Sequence, residues 1–229
     1  MKKTNILLLT VSAVALMAAT ALGTAAYLTS RDSVQNTFTV GAVGLTLDEA
    51  AVNPDGTYKT DAANRVQKNV YHLLPGHTYI KDPTVTVDKE SAESYVRMVV
   101  RVEKLQDLQQ ALPEEAYYKD LNGDGKADIL LDLLLEDSWN DRAWHFAGFW
   151  EESDGNTGVY EFRYYTKVDA SQEREDVTLE PLFQKIKVPA TVDNARLEKL
   201  RDVQIHIYAH AIQADGFETA EEAWLAFGA

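Results

Sequence analysis

The chain has 229 residues, no cysteine, and a formal net charge of −14 from 36 acidic and 22 basic side chains. The lack of cysteine excludes disulfide scaffolds and cysteine nucleophiles. The acidic balance disfavours nucleic acid and anionic membranes as partners and favours cations. A chain of this length can bury a sizeable core without a metal or a disulfide.

The first 26 residues have the pattern of a secretory signal. Two lysines near the start precede an apolar run over residues 6–22, and no acidic side chain occurs in this segment. The small residues at 24–26 predict cleavage between Ala26 and Tyr27, with cleavage after Ala25 as the alternative. An uncleaved anchor is the other interpretation, since about 17 apolar residues are the lower limit for spanning a bilayer. We expect a secreted protein that meets the membrane only before cleavage.

Short segments of alternating apolar and polar residues follow, separated by turns at 53–56 and 73–76. The first runs from Phe38 to Leu47 and changes phase at Gly41, which predicts one strand with a bulge or kink. The alternation in Tyr95–Glu103 predicts one core face and one solvated face. Further strands are predicted at Thr78–Ile80, Pro83–Val87, Val159–Val168, Leu182–Val188 and Val203–Ala211.

Helical segments are few and brief. The spacing over Lys104–Leu112 predicts a helix that ends before Pro113, whereas the apolar run at 129–135 fits a helix or a buried strand. Thr219 and Glu222 form a capping-box pattern at the start of a C-terminal helix. Roughly seven to nine strands without a βαβ rhythm predict an all-β antiparallel sandwich of jelly-roll type, forming a single domain over residues 27–229.

A dense group of aromatic residues lies between positions 139 and 150. These rings fit a sugar-binding platform, as in an adhesin or carbohydrate-binding module, but rings that fill the core and its rim are the favoured interpretation. An exposed, coplanar arrangement would support the sugar platform. The group consists of Trp139, Trp144, Phe146, Phe149 and Trp150.

Several sequence blocks together resemble the TasA/camelysin family of exported proteins from Gram-positive bacteria. They occur in the same order along most of the chain, and the region 104–156 matches none of them and is interpreted as an insertion. The blocks are GTAAYLTSRDSVQNTFTVGAVGLTLDE (23–49), LLPGHTYIKDPTVTVD (73–88), SYVRMVVRVE (94–103), YEFRYYTKV (160–168), LEPLFQKIKVP (179–189), VQIHIYAHAIQADGF (203–217) and AEEAW (220–224).

The resemblance implies a jelly-roll subunit of extracellular biofilm-matrix fibres. Its implied partners are a SipW-type signal peptidase, further copies of the chain in a head-to-tail fibre, and an accessory fibre protein. Assembly would occur by donor-strand exchange, in which the freed N-terminal segment of one subunit enters the sheet of the next. The expected donor residues are Leu28, Val34, Phe38 and Val40. Pairing of this segment within its own subunit is the alternative for the monomer.

The camelysin name carries a metalloprotease label, so a cell-surface metalloprotease is an alternative interpretation. The chain has no HExxH motif, in which two histidines one helical turn apart bind zinc. His206 and His210 have the i, i+4 spacing but lie in a predicted strand, where they are too far apart to share a metal and are expected to face solvent. With no other catalytic motif present, we predict a non-enzyme.

One loop has the spacing of a calcium site. It presents side-chain oxygens at its positions 1, 3, 5 and 9, and a backbone carbonyl at position 7. The twelfth position, where an EF-hand has glutamate, is Leu131, so the pattern is closer to the short DxNxDGxxD loops of calcium-binding β proteins. A plain turn is the alternative interpretation. The expected calcium ligands are Asp120, Asn122, Asp124, Lys126 and Asp128.

Overall fold

The computed structural model describes residues 29–33, 36–38, 43–112, 118–119, 128–129, 138–201 and 203–228. Four of these segments, 29–33, 36–38, 118–119 and 128–129, are described by their backbone alone. The signal pattern at 1–26 and most of the predicted calcium loop lie outside the described residues.

Strands dominate the described part of the chain, and every strand pair in it is antiparallel. The first seven strands are β1 (Thr29–Ser33), β2 (Asn36–Phe38), β3 (Leu45–Ala50), β4 (Arg65–Val66), β5 (Thr78–Ile80), β6 (Thr84–Val87) and β7 (Ser94–Glu103). The others are β8 (Tyr118–Lys119), β9 (Asp128–Ile129), β10 (Trp144–Glu151), β11 (Thr157–Tyr164), β12 (Val177–Thr178), β13 (Lys185–Lys187) and β14 (Gln204–Gln213).

Two main sheets carry the fold. The larger has six strands in the order β10-β11-β7-β14-β1-β2, and the smaller has four in the order β12-β6-β3-β4. The pairs β13-β5 and β8-β9 form separate two-stranded ladders. Strands β7 and β14 pair along all ten residues of each and form the centre of the larger sheet.

Three short helices are described: α1 (Leu105–Ala111), α2 (Asn194–Leu200) and α3 (Ala220–Phe227). Asp193 caps α2, because its side chain accepts a hydrogen bond from the Arg196 amide at 2.9 Å. Thr219 caps α3 in the same way through the Glu222 amide, as the capping-box pattern predicts.

The two main sheets pack around one shared hydrophobic core, which makes the described fold an all-β sandwich. Alternation explains the arrangement, since every second side chain of β3, β6 and β7 points to the same interior. The buried side chains from the smaller sheet include Leu45, Leu47, Val85 and Val87, and those from the larger include Val96, Met98, Val100, Val102, Tyr160, Phe162 and Ile207.

The region from Phe38 to Leu47 is not the single strand that its alternation predicts. Phe38 ends β2 in the larger sheet, whereas Leu45 begins β3 in the smaller sheet, so the chain passes from one sheet to the other between them. Apolar periodicity identifies faces but not the sheet to which a face belongs. The burial of Leu45 and Leu47 is as predicted.

The turns and most other strands lie close to their predicted positions. Gly56 and Gly76 have positive φ angles of 84° and 75° in the two predicted turns, a conformation that glycine adopts without strain. The predicted strand 182–188 is shorter, since only Lys185–Lys187 pairs with β5. Strand β11 ends at Tyr164, and Val168 makes an isolated bridge to Ser94 instead.

Candidate functional site

A cleft of about 870 Å³ opens where the coil after β4, strand β13, helix α2 and the start of β14 meet. Its walls include apolar side chains from all four of these elements, namely Leu73, Ile186, Leu197, Leu200 and Ile205. Glu49, Asn69, Tyr71 and Lys81 also line it. Concave sites with apolar walls and a few converging polar groups are the usual binding sites of proteins.

Glu49 is the centre of this polar group and is 4% exposed. It lies in β3 on the same parity as Leu45 and Leu47, so the strand turns its side chain to the interior. One carboxylate oxygen, Oε2, lies 2.6 Å from Nζ of Lys81, and the other, Oε1, accepts a hydrogen bond of 3.0 Å from Nδ2 of Asn69. A buried carboxylate needs such partners, because loss of hydration is otherwise costly.

Asn69 is held in one orientation by three hydrogen bonds. Its Nδ2 donates to Glu49 and, at 2.8 Å, to the backbone carbonyl of Ala50. Its Oδ1 accepts a hydrogen bond of 3.0 Å from the amide of Val52. An amide turned by 180° would set its oxygen against two acceptors, so the network fixes which atom faces Glu49.

Tyr71 lies beside the cluster and lines the same cleft. Burial raises the pKa of Tyr71, and the negative charge of Glu49 raises it further, so the phenol stays neutral. Its hydroxyl donates to the carbonyl of Ile80 at 3.1 Å, and Nζ of Lys81 lies 5.7 Å from the centre of its ring. The ring meets Tyr79 edge to face, which holds it in place.

Arg65 and Asp82 fasten the backbone beside this cluster. The Arg65 guanidinium contacts Asp48 at 2.8 Å and Asp82 at 2.6 Å, joining β4 to β3 and to the residue after Lys81. Asp82 also accepts a hydrogen bond of 2.7 Å from the Ala50 amide. The segments that carry Glu49 and Lys81 are therefore held at a fixed separation.

A second polar cluster lies on the outer face of the larger sheet. Arg97 bonds to Glu161 at 3.1 Å and donates through Nε to Nδ1 of His210, also at 3.1 Å. The guanidinium lies 4.4 Å and 4.8 Å from the ring centres of Trp224 and Phe227 in α3. This face was predicted to be solvated, but α3 packs on it, and Glu161 is 7% exposed.

The N-terminal hairpin lies at one edge of the larger sheet. Strand β1 pairs with β14 from Thr29 opposite Ile212 to Ser33 opposite Tyr208, and β2 pairs with the other side of β1. Within the described residues, β1 thus covers half of the ten-residue β14. Of the predicted donor residues, Phe38 lies in β2, while Leu28, Val34 and Val40 lie outside the described residues.

Most of the predicted calcium ligands, and the predicted cleavage position, lie outside the described residues. Among the ligands, Asp128 alone is described, as the first residue of β9 opposite Lys119. Elsewhere in the described part of the chain, no three histidine, aspartate or glutamate side chains are grouped as a metal site would require. No helix among the described residues is both long and apolar enough to cross a membrane.

The histidines do not converge. His206 and His210 lie in β14 opposite Arg101 and Arg97, four residues apart along the strand. His206 is partly exposed, whereas the prediction of a solvent-facing His210 is wrong in part, because the Phe227 ring packs 5.0 Å from it. His72 and His77 lie in the coil between β4 and β5, and His145 lies in β10.

The aromatic group at 139–150 serves mainly as core. Trp144 and Phe146 are 0% and 5% exposed, and the Trp139 ring packs against Phe146 and Phe162. Trp150, at 45%, is the exposed member of the group. An exposed, coplanar platform is therefore not formed by these rings.

Comparison with known proteins assigns no family or function to the chain. Searches against protein-family models, curated proteins and solved structures found no match to the chain.

The residues predicted from the sequence do not include Glu49, Asn69 or Lys81. Glu49 could have been predicted, because it continues the alternation of Leu45 and Leu47 and therefore lies on the buried face of the strand. A carboxylate at such a position needs a polar partner. Nothing in the spacing of Asn69 and Lys81 identifies them as those partners, since the coil between β4 and β5 brings them together.

Proposed function

We propose that this chain is a secreted structural subunit of extracellular matrix fibres, joined by exchange of its N-terminal strand between subunits. The observation that carries the proposal is the place of β1. It is the first described strand after a signal-like segment, and it pairs at the edge of β14 rather than between two long strands. A strand in that place can leave without separating β7 from β14.

The exchange is possible because the strand that enters from a second copy has the same sequence as the strand that leaves. Removal of the hairpin would uncover the backbone groups of β14 that now pair with β1, and an unpaired edge is a template for another chain. The same segment of a second copy fits that register by construction. Such a head-to-tail contact does not close on itself and therefore propagates as a filament.

Export and processing complete the proposal. Cleavage after Ala26 by a signal peptidase of SipW type would free the segment from the membrane, and N-terminal sequencing of the secreted protein tests this. The fibre role agrees with the resemblance to the TasA/camelysin blocks and includes no catalytic activity. An accessory fibre protein would be a further partner.

We also propose that the strands are connected as in a jelly roll and that the loop at 120–128 binds calcium. Neighbours far apart in sequence, such as β7 with β14 and β14 with β1, agree with a jelly-roll arrangement, which a solved structure would test. Calcium bound by Asp120, Asn122, Asp124, Asp128 and the Lys126 carbonyl would order the loop. Calorimetry with calcium should give a binding signal that the Asp120→Ala, Asp124→Ala double variant lacks.

Deletion of residues 27–38 from the processed protein tests assembly. We expect a folded, soluble monomer that no longer forms filaments, as seen by electron microscopy after concentration. Val34→Asp or Phe38→Asp should weaken filament formation by placing a charge on the face that the donor strand is proposed to bury in the next subunit. Trp150→Asp, at the exposed edge strand β10, is the matched control and should assemble normally.

Two outcomes would overturn the assembly proposal. The truncated protein could form the same filaments, which would show that another surface joins the subunits. Alternatively it could fail to fold, which would make the hairpin part of the subunit's own core.

A further inference from the structure

The cluster in the cleft brings an amine, an amide and a carboxylate into contact, and the proposed fibre role uses none of them. The Lys81 amine lies on one oxygen of Glu49, and the Asn69 amide nitrogen lies on the other. The Lys81 and Glu49 side chains are 11% and 5% exposed, so both charges are largely removed from water. A buried ion pair of this kind is weak evidence for stability alone, which leaves room for a chemical role.

The hydrogen bonds of the Asn69 side chain would favour an attack at its carbonyl carbon. Its oxygen points at the Val52 amide, which can stabilise the negative charge that develops on that oxygen in a tetrahedral intermediate. Its nitrogen, the leaving group, points at Glu49. The same carboxylate therefore touches both the nucleophile and the leaving group, within the distances over which protons are transferred.

We propose that Lys81 and Asn69 are joined by an intramolecular isopeptide bond, with Glu49 as the acid and base that carries protons between them. This modification forms within one subunit and does not depend on filament assembly.

The proposed step is balanced with the groups present. Glu49 takes a proton from the Lys81 ammonium, and the free amine attacks Cγ of Asn69, which forms the Nζ–Cγ bond. Glu49 returns the proton to Nδ2, and the Cγ–Nδ2 bond breaks to release ammonia. The second proton lost by the Lys81 nitrogen leaves with the ammonia as ammonium, and Glu49 ends as a carboxylate. No oxidant or other reactant is required.

The surroundings favour this step over simple hydrolysis. The Lys81 and Glu49 side chains are largely removed from water, and the Tyr71 ring lies 5.7 Å from Nζ of Lys81, so the lysine amine is the nucleophile held beside Asn69. The cleft gives ammonia a way out, since Glu49, Asn69 and Lys81 all line it. Attack requires the amine to rotate about the side-chain bonds of Lys81 from Oε2 of Glu49 toward Cγ of Asn69.

Mass spectrometry of the purified full-length protein tests the bond. We expect an intact mass lower than that of the sequence by one ammonia, and, after proteolysis, a branched peptide that joins the segments carrying Asn69 and Lys81. A protein at full sequence mass would overturn the proposal and leave Glu49 and Lys81 as an ion pair. Loss of ammonia without the branched peptide would also overturn it, because an asparagine can lose ammonia alone.

Variants locate the reaction in the cluster. Lys81→Arg keeps a positive charge beside Glu49 but lacks the amine that attacks Cγ of Asn69, so it should show its full sequence mass. Glu49→Gln should slow the loss of ammonia at least tenfold. The matched control pair Asn53→Ala and Lys59→Arg, in the exposed turn after β3, should leave the branched peptide unchanged. Ammonia loss that persists in Lys81→Arg would contradict the proposal.

Discussion

Arg97 shows how one side chain can join a helix to a sheet. Its guanidinium has Glu161 and His210 in its plane and the rings of Trp224 and Phe227 at its face. A planar cation can satisfy both kinds of neighbour at once, and a lysine cannot. The alternation in β7 predicts that Arg97 faces solvent, but two rings of α3 pack against its guanidinium instead.

Replacement of Arg97 by methionine should destabilise the protein. The change removes one of the two arginines that pair with Glu161, whose other oxygen keeps Arg163 at 2.6 Å, and it also removes the cation over the Trp224 ring. The free energy of unfolding should fall by about 2 kcal/mol in chemical denaturation. Amide hydrogen exchange should rise most in α3. Arg201→Met, at a side chain 70% exposed beside Glu198, is the control and should change stability by less than about 0.5 kcal/mol. A loss for Arg97→Met as small as that of the control would show that α3 is held by its apolar contacts alone.

The turn between β10 and β11 is held by hydrogen bonds to one carboxylate, that of Asp154. Asp154 accepts hydrogen bonds of 2.9 Å from the amides of Asn156 and Thr157, and one of 2.7 Å from the Thr157 hydroxyl. Gly155 between them has a φ angle of 62°, which suits glycine. These bonds set the register in which β11 returns along β10.

The stability from this turn should depend on pH. Hydrogen bonds from the Asn156 amide and the Thr157 hydroxyl hold the pKa of Asp154 below its usual value. The unfolded chain therefore takes up the proton first as the pH falls, and the contribution is present above the unfolded pKa of about 3.9. It is lost as the pH falls through the lower folded-state pKa.

Denaturation of wild type and Asp154→Ala at several pH values measures this contribution. The difference in unfolding free energy should be constant from pH 7 to about pH 5 and shrink toward acid pH. Asp154→Asn, which keeps an acceptor oxygen but does not titrate, is the control and should differ from Asp154→Ala by a constant amount. A difference between wild type and Asp154→Ala that grows toward acid pH would contradict the assignment.

The elements also show what the sequence can predict. Strand β7 and the cap of α3 follow from local patterns, since alternation and a capping box are properties of neighbouring residues. The separation of β2 from β3, the burial of Glu161 and the meeting of Asn69 with Lys81 depend on segments distant in the chain. Local periodicity carries no information about which distant segment supplies the partner.

At the scale of the whole molecule, the shared core makes the two main sheets one cooperative unit. Leu47 from the smaller sheet and Met98 from the larger are both 0% exposed and belong to the same cluster. Neither sheet can bury its inner face alone, because each face is covered by the other.

Leu47→Ala and Met98→Ala should therefore lower the midpoint of the same unfolding transition. Each should reduce the free energy of unfolding by about 2–5 kcal/mol, the usual loss for such core truncations. Thermal unfolding followed by tryptophan fluorescence and by far-UV circular dichroism should give coincident curves for both variants. Leu225→Ala, at a side chain 76% exposed, should leave the midpoint nearly unchanged. Two separate transitions in either variant would mean that the sheets unfold independently.

The outer strands of the two main sheets bear on how copies of the protein behave in concentrated solution. In the described part of the chain, β2 has three residues, β4 and β12 have two each, and the register of β10 shifts between Phe146 and Gly148. Short or irregular outer strands give a neighbouring molecule few aligned backbone groups to bond. Filaments of the protein should therefore not coalesce sideways, and lateral aggregation should require unfolding of the sandwich.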